Sequence, residues 1–203
     1  GGELRVAFSS REVAGQRTWQ GKLSTTNLDG VARGQAISWR EPIQADYKAV
    51  QGSEGKVQSE LNCSSSFLMA SASGTSKDGF ISARGDLNRL TTELSRFFDL
   101  SDVRLAGHVA MGLDFKPAKT PSIDGVARAK ASGYMQLNDF ELALPGKRPW
   151  REQRMKIVVD GVGVVDGEGL QAVDQASLRL ESGGDTLAVN LTGGVRLAEA
   201  STS

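Results

Sequence analysis

One histidine and one cysteine are all that the 203-residue chain offers of the side chains most often used as general bases, nucleophiles or soft metal ligands. His108 stands alone, so a zinc site of the usual kind, built from several His or Cys donors, has no partners to draw on. A Ser-His-Asp triad would need a particular serine beside it. No Gly-x-Ser-x-Gly elbow marks one out. Cys63 sits in an alternating apolar stretch with no base nearby and reads as a small core filler. Asp160, Asp166, Glu168 and Asp174 gather in a Gly-rich stretch, where carboxylate oxygens suit a hard cation such as calcium. Their spacing is not that of an EF-hand, and turn chemistry explains Asp beside Gly equally well. Gly161-Val162-Gly163 and Gly167-Glu168-Gly169 lack the surrounding βαβ unit of a dinucleotide fingerprint. Lys147-Arg148-Pro149-Trp150-Arg151 is a basic cluster carrying an aromatic. It falls at a turn and reads as a solvated loop, contact with a phosphate or lipid headgroup being the alternative chemistry. No catalytic residue, metal ligand or cofactor site is assigned, and a non-enzyme is expected.

Composition narrows the field further. Lys plus Arg and Asp plus Glu balance at 24 each, so no global field steers the chain to nucleic acid. With a single cysteine, no disulfide can form within the chain. Gly is abundant and Pro scarce, which suits many turns between strands. No apolar run approaches the ~20 residues of a membrane-spanning helix. The opening Gly1-Gly2 and the closing Ser201-Thr202-Ser203 read as cut points, so the chain is expected to be a piece of something longer.

The elements are clearest between Gly79 and Lys116, which reads as strand, helix, strand. Asp86 is a good N-cap. Leu87, Leu90, Leu94, Phe97 and Phe98 then fall on one side of a helix, within an arc of roughly 100°. Asn88, Arg89, Thr92, Glu93 and Arg96 take the other. In the strand that follows, Val103, Leu105, Gly107, Val109, Met111, Leu113 and Phe115 alternate with small or polar residues. One face is therefore apolar and the other wet, the pattern of a half-buried antiparallel strand.

The same rhythm recurs on both sides. Leu4, Val6 and Phe8 make a short strand, and Ser10–Gln16 has loop character. Trp19–Leu23, Val31–Trp39, Ile43–Val50 and Val57–Cys63 alternate too, with Asp29-Gly30 as a turn signal. Phe67–Ser73 and Phe80–Arg84 flank a hairpin turn ending in Asp78-Gly79. Beyond Pro117–Pro121, apolar parity shifts between Leu137 and Phe140, predicting a bulge or turn near Asn138-Asp139. Strands follow through Met155–Val159, Leu178–Leu180 and Leu187–Leu191, and Val195–Ala200 reads as a helical first turn. Asp29-Gly30-Val31-Ala32-Arg33 recurs as Asp124-Gly125-Val126-Ala127-Arg128. The expected organisation is one β-rich segment over residues 1–203, with two related repeats, about 1–116 and 117–203, as a possibility.

Roughly a dozen such strands with one helix cannot all hide an apolar face. The fold class is mainly β: an extended, curved antiparallel sheet, forming a groove or a partly closed barrel or sandwich, with one amphipathic helix near 86–99. Gly85-Asp86-Leu87-Asn88-Arg89-Leu90 before the helix, and Leu105-Ala106-Gly107 in the strand after it, resemble the repeats of AsmA-like and TamB-like envelope proteins. The resemblance covers Phe67–Phe115 best and Gly193 onward faintly. It implies a non-enzymatic segment of a periplasmic or envelope protein that shelters lipid acyl chains or acts as a scaffold in outer-membrane assembly, with other envelope proteins as further partners. Val103, Leu105, Val109, Met111, Leu113 and Phe115 are the expected lining, and the helix is expected to cap one end. An extracellular or periplasmic β-sandwich module binding protein or glycan is the alternative.

Overall fold

The computed structural model describes residues 1–32, 34–52, 54–75, 77–100, 102–118, 127–165 and 170–196. Within them the chain runs β1 (Glu3–Val13), β2 (Gln16–Thr26), β3 (Leu28–Ala32), β4 (Gln35–Trp39), β5 (Gln44–Gln51), β6 (Val57–Ser64), β7 (Leu68–Gly74), β8 (Gly79–Asp86), α1 (Leu87–Leu94), β9 (Arg104–Pro117), β10 (Arg128–Ala143), β11 (Trp150–Val165), β12 (Leu170–Ser182) and β13 (Asp185–Arg196). Eleven strands form one antiparallel sheet in the order β1-β2-β5-β6-β7-β8-β9-β10-β11-β12-β13, and β3 and β4 make a separate hairpin. Every step across the large sheet is to the next strand in the chain, once that hairpin is set aside. Such nearest-neighbour topology needs only short connections.

Alternation makes the strands, and two local rules shape them. The first is the bulge. Between Asn138 and Glu141 the register of β10 against β9 slips by one residue. Asp139 takes a positive φ of 50° there, and Gly107 opposite it a φ of 108°. A side chain at Gly107 would meet the Asn138 carbonyl oxygen at 2.6 Å, so glycine is required. A bulge bends a strand and strengthens its twist. It also moves the apolar set of β10 from odd to even positions, as the parity shift in the sequence anticipates. The second rule is close approach: the Phe115 ring folds over Gly79, where an added Cβ would lie 2.6 Å from the ring.

Several boundaries differ from the sequence reading. β1 continues to Val13, through residues read as a loop. It lies at the margin of the sheet, exposed on both faces, so polar residues pair there at no desolvation cost. Asp29-Gly30 does not turn the chain; it lies inside β3, and the hairpin register closes on Ala32 opposite Gln35. α1 ends at Leu94, capped by Ser95, which leaves Phe97 and Phe98 in the turn beyond it. Val195 and Arg196 belong to β13, not to a helix. Residues 197–200, and the second copy of the repeated Asp-Gly-Val-Ala-Arg phrase except Ala127 and Arg128, fall outside the described residues.

The sheet does not close on itself: β1 and β13 each have one neighbour. Buried apolar side chains among the described residues are few: Trp39, Ala49, Ala106, Phe140 and Met155. The accessible surface is 14267 Å², against about 9,200 Å² for a compact monomer of this mass. Most of the apolar surface made by alternation therefore stays uncovered.

Candidate functional site

Directly opposed residues of an antiparallel pair share a face, so the registers can be followed across the sheet. Starting from Met111, one row runs Val6, Leu23, Ala45, Cys63, Ala70, Ala83, Met111, Met135, Ile157, Leu180, Leu187. The adjacent row on that face runs Phe8, Gly21, Tyr47, Leu61, Ala72, Ile81, Leu113, Gly133, Val159, Leu178, Val189. Neither contains a charge, and the Tyr47 hydroxyl is the sole oxygen-bearing side chain in the two. The row between them points to the other face and reads Ala7, Lys22, Asp46, Asn62, Ser71, Ser82, Gly112, Tyr134, Val158, Arg179, Ala188. One face of the sheet is thus a hydrocarbon surface eleven strands across. At about 4.8 Å per strand spacing it extends about 48 Å.

Five of the six expected lining residues fall on this face. Leu105, Val109, Met111, Leu113 and Phe115 project from it along β9. Leu105, Val109, Leu113 and Phe115 are half-buried, and Met111 is 41% exposed. Val103 lies just before β9, where its N–H donates to the Leu100 carbonyl, so it is at the rim and outside the rows. The sequence reading missed the rest of each row. Parity was visible strand by strand, but which residue of β6 or β12 lines up with Met111 depends on pairings between strands.

α1 stands at the rim formed by the ends of β8 and β9. The Asp86 carboxylate accepts the Arg89 N–H at 3.0 Å, and its own N–H donates to the Phe67 carbonyl at 2.9 Å. That Arg89 N–H chiefly holds the Asp86 carboxyl below the usual range, with His108 across the β8–β9 pair and the Arg89 guanidinium adding to it. Leu87, Leu90 and Leu94 are half-buried, and the Thr91 hydroxyl reaches the Leu105 carbonyl at 2.8 Å. Phe97 packs on Trp39 of β4 with ring centroids 5.5 Å apart, and Trp39 also meets Phe67 at 6.0 Å. Phe98 points out to solvent. Glu93, placed by periodicity on the wet side, is instead 6% exposed. The hairpin covers that side: Arg96 reaches Glu93 at 3.2 Å and donates to the Ser38 carbonyl at 3.0 Å.

The candidate chemical groups remain scattered. His108 is exposed on the polar face. Cys63 is half-buried within the apolar row. Asp174 is bonded to Arg128 at 2.8 Å and Asp160 lies on β11, while Asp166 and Glu168 fall outside the described residues. Among the described residues no group of three or more His, Cys, Asp or Glu gathers as metal ligands. Among the described residues no helix is long and apolar enough to cross a membrane. The basic cluster forms the turn between β10 and β11. There Arg151 donates to Glu141 at 3.2 Å and is the main cause of that carboxyl's lowered pKa. The bonds from Ser182 and Trp150 lower that of Glu152.

These features define an open, single-layer antiparallel sheet with one polar and one hydrocarbon face, its rim held by a helix and a hairpin. Comparison with protein-family models, with curated proteins and with solved structures found no match.

Proposed function

We propose that the chain binds the hydrocarbon chains of lipids along its open apolar face, as a non-enzymatic carrier or scaffold segment of the bacterial envelope. The observation that carries this reading is the pair of charge-free rows crossing all eleven strands without cover. Soluble monomers rarely expose contiguous apolar patches beyond a few hundred Å². A surface of about 48 Å is longer than the ~30 Å hydrocarbon thickness of a whole bilayer, so an extended acyl chain, which spans about half of that, fits along it. The rows offer an acyl chain no directional partner. Affinity would therefore follow buried apolar area, at roughly 25 cal/mol per Å², and would tolerate different chain types. The resemblance of Gly85–Leu90 and Leu105–Gly107 to AsmA-like and TamB-like repeats supports the same reading and suggests the envelope setting.

The test is uptake of a fluorescent fatty acid by the delipidated protein. Saturable uptake is expected. Met111→Gln, at an exposed position in mid-row, is expected to weaken it roughly ten-fold, whereas His108→Gln on the polar face leaves it unchanged. Absence of saturation, or equal effects of the two substitutions, would remove the proposal.

A further inference from the structure

The turn from Leu144 to Pro149, between β10 and β11, carries groups that the apolar face does not use. All its residues are exposed, and it is bounded by two large side chains that are also exposed, Leu144 at 44% and Trp150 at 47%. Two prolines, Pro145 and Pro149, and the bond from the Lys147 N–H to the Leu144 carbonyl at 3.1 Å stiffen it. Trp150 is held although it is exposed. Its ring stands edge-on to Phe140 with centroids 5.0 Å apart. Its Nε1–H donates to Glu152 at 2.9 Å, and Glu152 is held in turn by the Ser182 hydroxyl at 2.5 Å. The cations divide into two kinds. Arg151 and Arg104 share Glu141, at 3.2 and 3.8 Å. Lys147 and Arg148, at the tip, have no carboxylate partner among the described residues.

We infer that this turn docks the protein on an anionic lipid bilayer. A preorganised tryptophan that is 47% exposed, an exposed leucine and two unpaired cations make an amphipathic tip of the kind that sits at a membrane–water interface. The indole takes the headgroup level, and the cations meet lipid phosphates. Because the ring is already fixed, docking orders little that is not ordered beforehand. The turn lies at the end of β10 and β11, so insertion by a few ångströms places that end of the apolar face against the bilayer surface. The inference does not rest on acyl-chain binding. A turn that docks beside a face that takes no fatty acid is a coherent outcome.

Co-sedimentation of the full chain with vesicles tests it, comparing pure phosphatidylcholine with phosphatidylcholine containing about 30% phosphatidylglycerol. Binding is expected with the anionic vesicles only, and is expected to be lost near 1 M salt, where the screening length falls to about 3 Å. The double substitution Lys147→Gln/Arg148→Gln, at exposed turn positions that leave the fold alone, is expected to lower the partition about 25-fold, at about five-fold per charge. In the parent, bromine-labelled lipid is expected to quench tryptophan fluorescence. Trp150→Phe keeps a ring against Phe140 and is expected to weaken binding and to leave the remaining Trp19 and Trp39 emission unquenched. Fatty-acid uptake by the Lys147→Gln/Arg148→Gln variant is expected to match that of the parent, because both positions lie in the exposed turn outside the apolar rows, which separates this surface from the apolar face. Equal binding to both vesicle types, no binding to either, or a double variant that binds like the parent would overturn the inference.

Discussion

At the scale of single residues, Asp86 joins local sequence to measurable stability. Its carboxylate takes the Arg89 N–H at 3.0 Å, one of the orphan donors of a helix start. Asp86→Ala is expected to cost about 1 kcal/mol, and Asp86→Asn much less, since asparagine caps nearly as well. The folded-state pKa of Asp86 is lowered. Its contribution is therefore complete above the unfolded value of about 3.9 and disappears as pH falls through the lower, folded value. Denaturant titrations of Asp86→Ala and its parent should differ at neutral pH and converge in acid, and a difference that persists in acid would contradict the assignment. The cap was legible because the rule behind it acts over three residues. Glu93 was not, because the hairpin that buries it begins more than fifty residues earlier.

At the scale of elements, α1, the β3–β4 hairpin and the loop before β7 assemble into a small hydrophobic cluster at the rim of the large sheet. Trp39 is its centre, 8% exposed and packed against Phe67 and Phe97. Trp39→Ala removes both ring contacts at a cost of about 3–5 kcal/mol for a buried aromatic. That exceeds what a two-stranded hairpin can supply alone. Hydrogen exchange should then show protection lost in Leu28–Trp39 and Leu87–Leu94 while β10, β11 and β12 stay protected, and a uniform loss would show that the cluster is part of one cooperative unit. The individual elements here were readable from period and turn chemistry. The bulge at Asn138-Asp139 could be read from parity alone, because a bulge is itself a change of parity. Their union was not readable, since Trp39, Phe67 and Phe97 meet across the chain and each looks like an ordinary strand or helix residue in its own window.

At the scale of the whole molecule, alternation in each strand foretold an apolar face, while the alignment of eleven such faces into continuous rows arises from registers set between strands. The result has a thermodynamic consequence. A sheet with an accessible surface of 14267 Å² and few buried apolar side chains forgoes much of the burial that stabilises a compact domain of the same mass. Hydrocarbon lying on the rows would restore part of it, and a ligand that binds only the folded state raises stability by linkage. At a free concentration a hundred times its Kd the gain is about 2.7 kcal/mol. For a chain of this size that corresponds to a rise in Tm of about 5–10 °C. Thermal unfolding followed by far-ultraviolet circular dichroism should show this rise with a long-chain fatty acid and much less with a short-chain one of equal charge, because only the long chain covers several strands. Met111→Gln should reduce the rise without lowering the Tm of the delipidated protein, since Met111 is exposed when the face is empty. A shift that is the same for both chain lengths would mean that the carboxylate, not the hydrocarbon, is what the protein holds.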